Sequence, residues 1–557
     1  MRNISFPLNI VVILWDKTFF MLAKNFKYLL IISILITACA KRGTINGGLK
    51  DTISPMLKIS TPKNYSTDFK GNTIKLTFDE YIKLKNINKQ LVISPPMKTA
   101  PEIQPTTASR QITIKIKDTL LANTTYSLNF GQSIEDNNEG NPYRQFKYVF
   151  STGSYIDSLS LSGTVKDAYN KNADSFVTVA LYEIDDKYND SVIYNEIPRY
   201  VTNTVDSAKT FKLENLKSGK YLLVALKDLN SNFKFDPKTD KVGFQKDYIS
   251  IPNDTIFEVE LFTETPRFKA VKPTQASGNR FLIGYEGNAN AANVVLKKGN
   301  DNISTIVTKF PNKDSLQVWY QPIKLDAAIK SDSLNLIVSN QNYSAEFNVR
   351  IKSQKNDTLS LTPNYSGALP LREKFAVIAS VPVTEFDTSK MKLQNKDSVA
   401  VSFTTNYDEM KQEVIFDFKK EPLEKYELTL FPGAIIDYMQ HTIDTITYKL
   451  ETLNTSDYGN LRINLENVEQ YPIIVELTNS QGEIAYSEYM QSNTQIDFNL
   501  IKPAPYTIRV IYDENKNEIW DSGNFLGKRQ AEEVIYFPKE IDVRANWDVE
   551  QAFNLKP

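Results

Sequence analysis

The chain has 557 residues, with 65 Lys plus Arg against 66 Asp plus Glu, a formal net charge of −1, one histidine and one cysteine. Balanced charge advertises no polyanion, so nucleic acid is not an expected partner. A lone cysteine permits no intramolecular disulfide, and one His with one Cys makes no zinc site, so stability must come from ordinary apolar cores.

From the N-terminus, Lys24 and Lys27 precede an apolar run at 28–38 that is too short to span a bilayer, and small Thr37 and Ala38 lead into Cys39. That order resembles the lipobox of bacterial lipoproteins. The resemblance implies a diacylglyceryl group on Cys39, cleavage before it, acylation of the new N-terminus and a membrane partner reached through the lipid. Stable anchoring takes more than one acyl chain. Asp16 and Lys17 interrupt the apolar stretch 10–15, which points to Met21 as the true start. Residues 1–38 therefore read as a signal peptide, and 39–54, with Gly43, Gly47 and Gly48, as a flexible leader.

Beyond the leader, β-branched and aromatic runs alternate with polar positions and are broken by Asn, Asp, Gly and Pro about every ten residues, as at 73–78, 111–116, 221–226 and 506–511. The period is two. The expected fold class is all-β, a tandem of β-sandwiches. At about 100 to 150 residues per domain, the mature chain has room for four or five. The expected boundaries are 55–153, 157–265, 270–367, 371–453 and 457–557.

An internal repeat organises them. Residues 211–221, followed by Asp228, Asn230, Asn232 and Asp236, align without gaps on 496–506, followed by Asp513, Asn515, Asn517 and Asp521, at a constant offset of 285. A looser match pairs Leu121, Tyr126, Leu128, Phe130, Ile134 and Asp136 with Leu423, Tyr426, Leu428, Leu430, Ile436 and Asp437. The order is then A, B, a middle region, A, B.

Residues 55–153, with Phe78-Asp79-Glu80-Tyr81 and the closing Phe150-Ser151-Thr152-Gly153, resemble the Ig-like domain of bacterial S-layer proteins. Placed behind a lipoprotein signal, it looks like a set of Bacteroidota envelope lipoproteins. Each B module, with Gly219-Lys220-Tyr221 leading to an acidic turn, resembles prealbumin-like sandwiches; the second copy has Ala504-Pro505-Tyr506 there. The resemblance implies an envelope compartment and no known activity. Ala40-Lys41-Arg42 lacks the acidic residues associated with surface export in such lipoproteins, which implies the periplasmic face of the outer membrane.

The acidic turns place Asp228, Asn230, Asn232 and Asp236, and likewise Asp513, Asn515, Asn517 and Asp521, at positions 1, 3, 5 and 9 of a calcium loop. Position 6 is Phe233 or Glu518 and position 12 is Thr239 or Asn524, so calcium would bind weakly; the competing reading is a turn that satisfies its own backbone. No other cofactor is implied. Asp followed by Ser or Thr and a small or aliphatic residue recurs at Thr52, Thr119, Ser158, Ser191, Ser207, Thr255, Ser315, Ser333, Thr358, Ser398 and Thr445. This resembles the O-glycosylation sequon of Bacteroidota, although such dipeptides also serve as plain turn residues before strands, some of them buried.

Catalytic chemistry finds little support. His441 stands in a polar turn, and Asp79-Glu80 and Glu135-Asp136 are strand neighbours that point to opposite faces. The favoured reading is a non-enzymatic envelope scaffold or binding protein that meets an envelope protein or glycan through sheet edges and loops. The rival is a carbohydrate-binding or carbohydrate-processing protein, with Trp319, Tyr320 and Trp520 as the aromatics to inspect for exposure.

Overall fold

The computed structural model describes residues 51–204, 209–311, 313–322 and 331–556. The signal peptide, Cys39 and Ser207 lie outside them. The described chain is almost wholly strand, with two four-residue helices, Ile87–Gln90 and Val192–Asn195, among the described residues. No helix there is long and apolar enough to cross a membrane.

Alternation explains the strands. In Arg280–Glu286 and Gly459–Glu466 every second residue is buried, so each strand presents one face to a core and one to solvent. Five such cores follow one another. The first sandwich packs Leu57–Thr61, Thr73–Leu84, Ser109–Lys115 and Glu102–Gln104, joined by Ile134–Asp136, against Val92–Ser94, Thr125–Asn129 and Lys147–Ser151. The fourth repeats this plan, with Leu361–Pro363, Phe375–Ala379, Glu413–Phe418 and Phe403–Asp408 facing Met391–Asn395, Lys425–Leu430 and Ile446–Glu451. Leu361–Pro363 and Gly367–Ala368, which precede the boundary expected at 371, pair with strands of this fourth sandwich.

The second and fifth sandwiches also share one topology. In the second, Tyr200–Asn203, Thr178–Glu183, Gly219–Lys227 and Lys241–Phe244 form one sheet, and Thr210–Leu216, Leu159–Asp167 and Ile256–Leu261 the other. Its last strand pairs parallel with its first, as Asp548–Asn554 does with Gly459–Glu466 in the fifth. The third sandwich, 269–352, holds Phe281, Leu296, Val318 and Leu336 in its core. Trp319 and Tyr320 are buried at its border with the fourth, where Trp319 Nε1 donates to Thr308 Oγ1 at 2.9 Å and Tyr438 packs on the indole. They are core residues with no face free for a sugar.

Polar contacts cross three of the junctions between consecutive sandwiches. Thr125 Oγ1 donates to Asp157 Oδ2 at 2.8 Å between the first and second sandwiches. Thr308 Oγ1 donates to Gln412 Oε1 at 3.0 Å between the third and fourth. Arg372 pairs with Glu488 and lies over Tyr486 and Phe498 between the fourth and fifth.

Candidate functional site

The repeats are legible atom by atom. Tyr126 OH accepts from Leu121 N and Tyr426 OH from Glu421 N, while Thr152 and Thr452 each accept from the amide of residue 124 or 424. The offset is 300, so Leu121 corresponds to Glu421, and Leu423 corresponds to Asn123; both of the latter are left-handed, at φ +54° and +47°. The expected pairing of Leu121 with Leu423 is thereby corrected, as is that of Ile134, which matches Ile435. In the B modules the left-handed residues Asn215, Ser231 and Phe233 recur as Leu500, Lys516 and Glu518, at the sequence offset of 285. Only Asn and Asp among ordinary side chains favour that region, so a retained Leu or Phe there reflects inherited turn geometry imposed by the surroundings.

The acidic turns close on themselves. Asp228 accepts from the amides of Asn230 and Phe233, and Asp240 accepts from those of Leu229 and Asp236. In the second copy Asp513 accepts from Asn517 and Glu518, while Asn515 and Asn517 turn their amide nitrogens toward Asp521. Asp228, Asp240 and Asp513 thus serve backbone donors, as an Asx-rich turn requires, and Asp521 serves the two side-chain amides. Among the described residues no group of three or more His, Cys, Asp or Glu converges as a metal site.

What differs between the copies is the length of the loop. The capping carboxylate comes four positions after Asp236 but eleven after Asp521, where Glu532 accepts from Glu514 N at 2.9 Å and Asp521 N at 2.8 Å, so the second loop carries seven extra residues. Those residues form a clasp on the second sandwich. Phe525 is buried against Phe244 and Tyr194, with ring centroids 5.2 and 6.2 Å away. Its amide donates to Glu264, Ser522 Oγ to Thr263 O, and Gln530 Nε2 to Phe244 O at 2.9 Å. A Cβ at Gly523 would stand 2.5 Å from the Phe262 ring, so any larger residue would have to push that ring aside. Burial pushes the carboxyls of Glu264 and Glu532 up from their ordinary range.

The second sandwich reaches back. Its Tyr169 stacks on Trp520 at 4.5 Å and lies over the Arg509 guanidinium at 4.2 Å, and its carbonyl accepts from Tyr536 OH at 2.6 Å. Beneath Tyr169, Arg509 is paired with Glu476 on the neighbouring strand, and both are buried. The equivalent pair in the first copy is Val224 and Ala180, within an apolar cluster that takes in Phe525. Trp520, half-buried with its indole N–H on Glu532 O, is a clasp residue. Nothing in the strand pattern marks this contact; its one signal in the sequence is that the gapless repeat stops at Asp521.

Of the sequon positions, Thr52, Thr119, Ser158, Ser191, Thr255, Ser333, Thr358, Ser398 and Thr445 are exposed and Ser315 is half-buried. None of these ten is buried. His441 Nδ1 lies 3.2 Å from Asp437, which caps the surrounding turn. Glu135 faces Lys83 and Lys85, whereas Asp136 accepts from four backbone amides of its own turn, which outweigh burial and hold its carboxyl below the usual range. The two carboxylates do not converge.

Residues 51–152 match the Bacterial Ig-like domain family. The Ig-like domain is the first sandwich, and a family described as an uncharacterized protein conserved in bacteria matches 166–280, over the second sandwich and into the third. The chain is similar to an uncharacterized ABC transporter permease of Mycoplasma genitalium, 28% identical over 262 residues, which take in 44% of this chain and span only 18% of that relative's length. Among solved structures, the S-layer protein rSbsC is 11% identical over 88% of this chain and 67% of its own, with a TM-score of 0.14. The ICAM-5 D1–D4 ectodomain is 10% identical over 72% and 100%, with a TM-score of 0.12. Titin domains A168–A170 are 12% identical over 44% and 91%, with a TM-score of 0.14.

Proposed function

We propose that the protein is a lipoprotein of the bacterial cell envelope, anchored through Cys39 at the periplasmic face of the outer membrane, where its β-sandwiches act as a non-enzymatic scaffold. The observation that carries this reading is the clasp: contacts at the domain junctions, completed by the fifth sandwich gripping the second, hold the modules in a fixed relation, as a scaffold requires. The divergence of Glu135 and Asp136 supports a role without catalysis. The lipobox resemblance supports the anchor, the likeness of the leader and first domain to Bacteroidota envelope lipoproteins suggests the setting, and the Ig-like match supports a bacterial β-sandwich protein. The exposed Asp-Ser and Asp-Thr positions are its candidate glycan carriers.

The test is metabolic labelling with a palmitate analogue and membrane fractionation of the native organism, comparing the natural protein with Cys39→Ser. Label and membrane association should both depend on Cys39. In-cell crosslinking through a C-terminal tag should then recover a reproducible partner protein that the variant loses. An unlabelled or freely soluble natural protein would sink the anchor, and recovery without any partner would sink the scaffold.

A further inference from the structure

The longest edge strand among the described residues is Tyr343–Lys352, at the border of a four-stranded sheet of the third sandwich. It pairs with Ser331–Asn340 through ten consecutive partners with no bulge, and it contains no Pro, so two of the devices that keep natural edges from accepting another strand are missing. Along an antiparallel strand the backbone groups of alternate residues face the neighbour and the rest face outward. Lys352 shows which set faces outward: its amide donates to Gln275 Oε1 at 2.8 Å and its carbonyl accepts from Gln275 Nε2 at 2.9 Å, outside the sheet. Ser344, Glu346, Asn348 and Arg350 belong to the same set and are exposed, and among the described residues no strand pairs with their outer side.

The side chains of this edge are ordered as well. Tyr343, Phe347, Val349 and Ile351 pack on the core of the third sandwich, with Phe347 half-buried, while Glu346, Asn348 and Arg350 stand on the opposite face. Arg350 has no ion-pair partner among the described residues, and Glu346 accepts from the Asn335 side-chain amide. The charges on this face are thus of both signs and flank Asn348 symmetrically, which makes the stretch 346–350 complementary to itself run in reverse.

We infer that this edge pairs antiparallel with the same edge of a second copy of the chain, about a two-fold axis at Asn348. Asn348 then meets its own counterpart, Glu346 of each copy stands opposite Arg350 of the other, and Phe347 of each lies beside Val349 of the other. Each of these outward-facing pairs exchanges two backbone hydrogen bonds, and the two four-stranded sheets become continuous. The charges fix the register, because an axis at Glu346 or at Arg350 would oppose like charges. The contact is isologous, so it closes at two copies instead of growing into a fibre. A single strand pair buries little area, so the dimer is reversible in dilute solution. The inference goes beyond the scaffold reading, which stands whether one copy or two are present.

The test is oxidative crosslinking of Asn348→Cys in the full-length protein, in cells of the native organism, read on a non-reducing gel. Opposed residues of an outward-facing pair have Cα atoms about 5.5 Å apart, within reach of a disulfide. A band of twice the mass should form that the natural protein, with Cys39 alone, does not give. Ser344→Cys lies on the same exposed edge but opposite Lys352, and should give a much fainter band. Adding Glu346→Lys or Arg350→Glu should weaken the Asn348→Cys band about tenfold by opposing like charges, and adding both should restore it. Restoration also shows that the single reversals had left the sandwich folded. Absence of the Asn348→Cys band, an equal band from Ser344→Cys, a crosslink to a different protein in its place, indifference to the single reversals, or failure of the paired reversal to restore the dimer would each overturn the inference. None of these outcomes reads the lipid label on Cys39, so the anchor stands or falls separately.

Discussion

Glu476→Gln tests the reading of the clasp most sharply. The Arg509 side chain is 1% exposed and that of Glu476 7%. The amide keeps the shape of the carboxylate but leaves a buried guanidinium with no counter-charge. Breaking a buried pair from one side costs about 3–5 kcal/mol. The Tyr169 ring and the hydroxyls of Tyr169 and Tyr536 remain on Arg509 and place the expectation near the lower end, about 3 kcal/mol. In a domain of this size, each kcal/mol moves the midpoint by about 4–8 °C, so a drop on the order of 12 °C or more is expected for the fifth sandwich. Several sandwiches do not unfold as one two-state unit, so the assay is native-state hydrogen exchange resolved by strand. Protection should fall in Ile473–Thr478 and Ala504–Tyr512 and hold in Ser109–Lys115 of the first sandwich. The double variant Glu476→Met/Arg509→Leu should be close to neutral or more stable, because apolar replacement of a whole buried pair removes its desolvation cost. A loss below about 1 kcal/mol in the single variant, or a double variant as damaged as the single, would refute the reasoning.

Phe525→Ala should cost about 3–5 kcal/mol of docking between the fifth and second sandwiches, seen as new protease cleavage at 522–531 and a larger radius of gyration by X-ray scattering, with each sandwich still folded. Gly523→Ala should loosen the same contact by roughly 1–3 kcal/mol, because its Cβ would push the Phe262 ring aside, and the same cleavage assay reads it. Removing the corner hydroxyls, Tyr126→Phe or Tyr426→Phe, should cost about 1 kcal/mol each in its own sandwich by strand-resolved exchange. The clasp should also tighten in mild acid. Glu264 and Glu532 have folded-state values raised by burial, so the folded protein binds more protons, and their favourable contribution is present below the unfolded-state value and lost as pH rises through the raised one. Cleavage at 522–531 should therefore be slower near pH 4 than at pH 7 with an acid-tolerant protease; the reverse order would contradict the burial argument.

The all-β class was legible because strands such as Arg280–Glu286 alternate strictly, and the B repeat because its turns keep their Asx caps at fixed spacing. The A repeat was legible only loosely. Its sequence match seized on the leucine at 423, whereas the turn demands a left-handed residue at that place whatever its side chain, and backbone geometry leaves no compositional trace when Leu stands for Asn. Trp319 and Tyr320 looked like candidates for sugar stacking because an aromatic pair reads the same in a core and on a surface; only the neighbouring Thr308, Gln317 and Gln412 network decides. The clasp was hidden for another reason. Its partners Phe525 and Phe244, or Tyr169 and Arg509, are hundreds of positions apart, and no local periodicity records such a contact.

The clasp also has a mechanical meaning. Because the fifth sandwich grips the second, tension applied between the Ig-like domain and the carboxyl end passes from the second sandwich directly into the fifth. The third and fourth sandwiches sit in a side loop that carries no load while the grip holds. Under such a load the contacts of Phe525 and Tyr169 would act as a fuse: below their breaking force the two shielded sandwiches stay out of the line, and above it they enter it and the chain lengthens in one step.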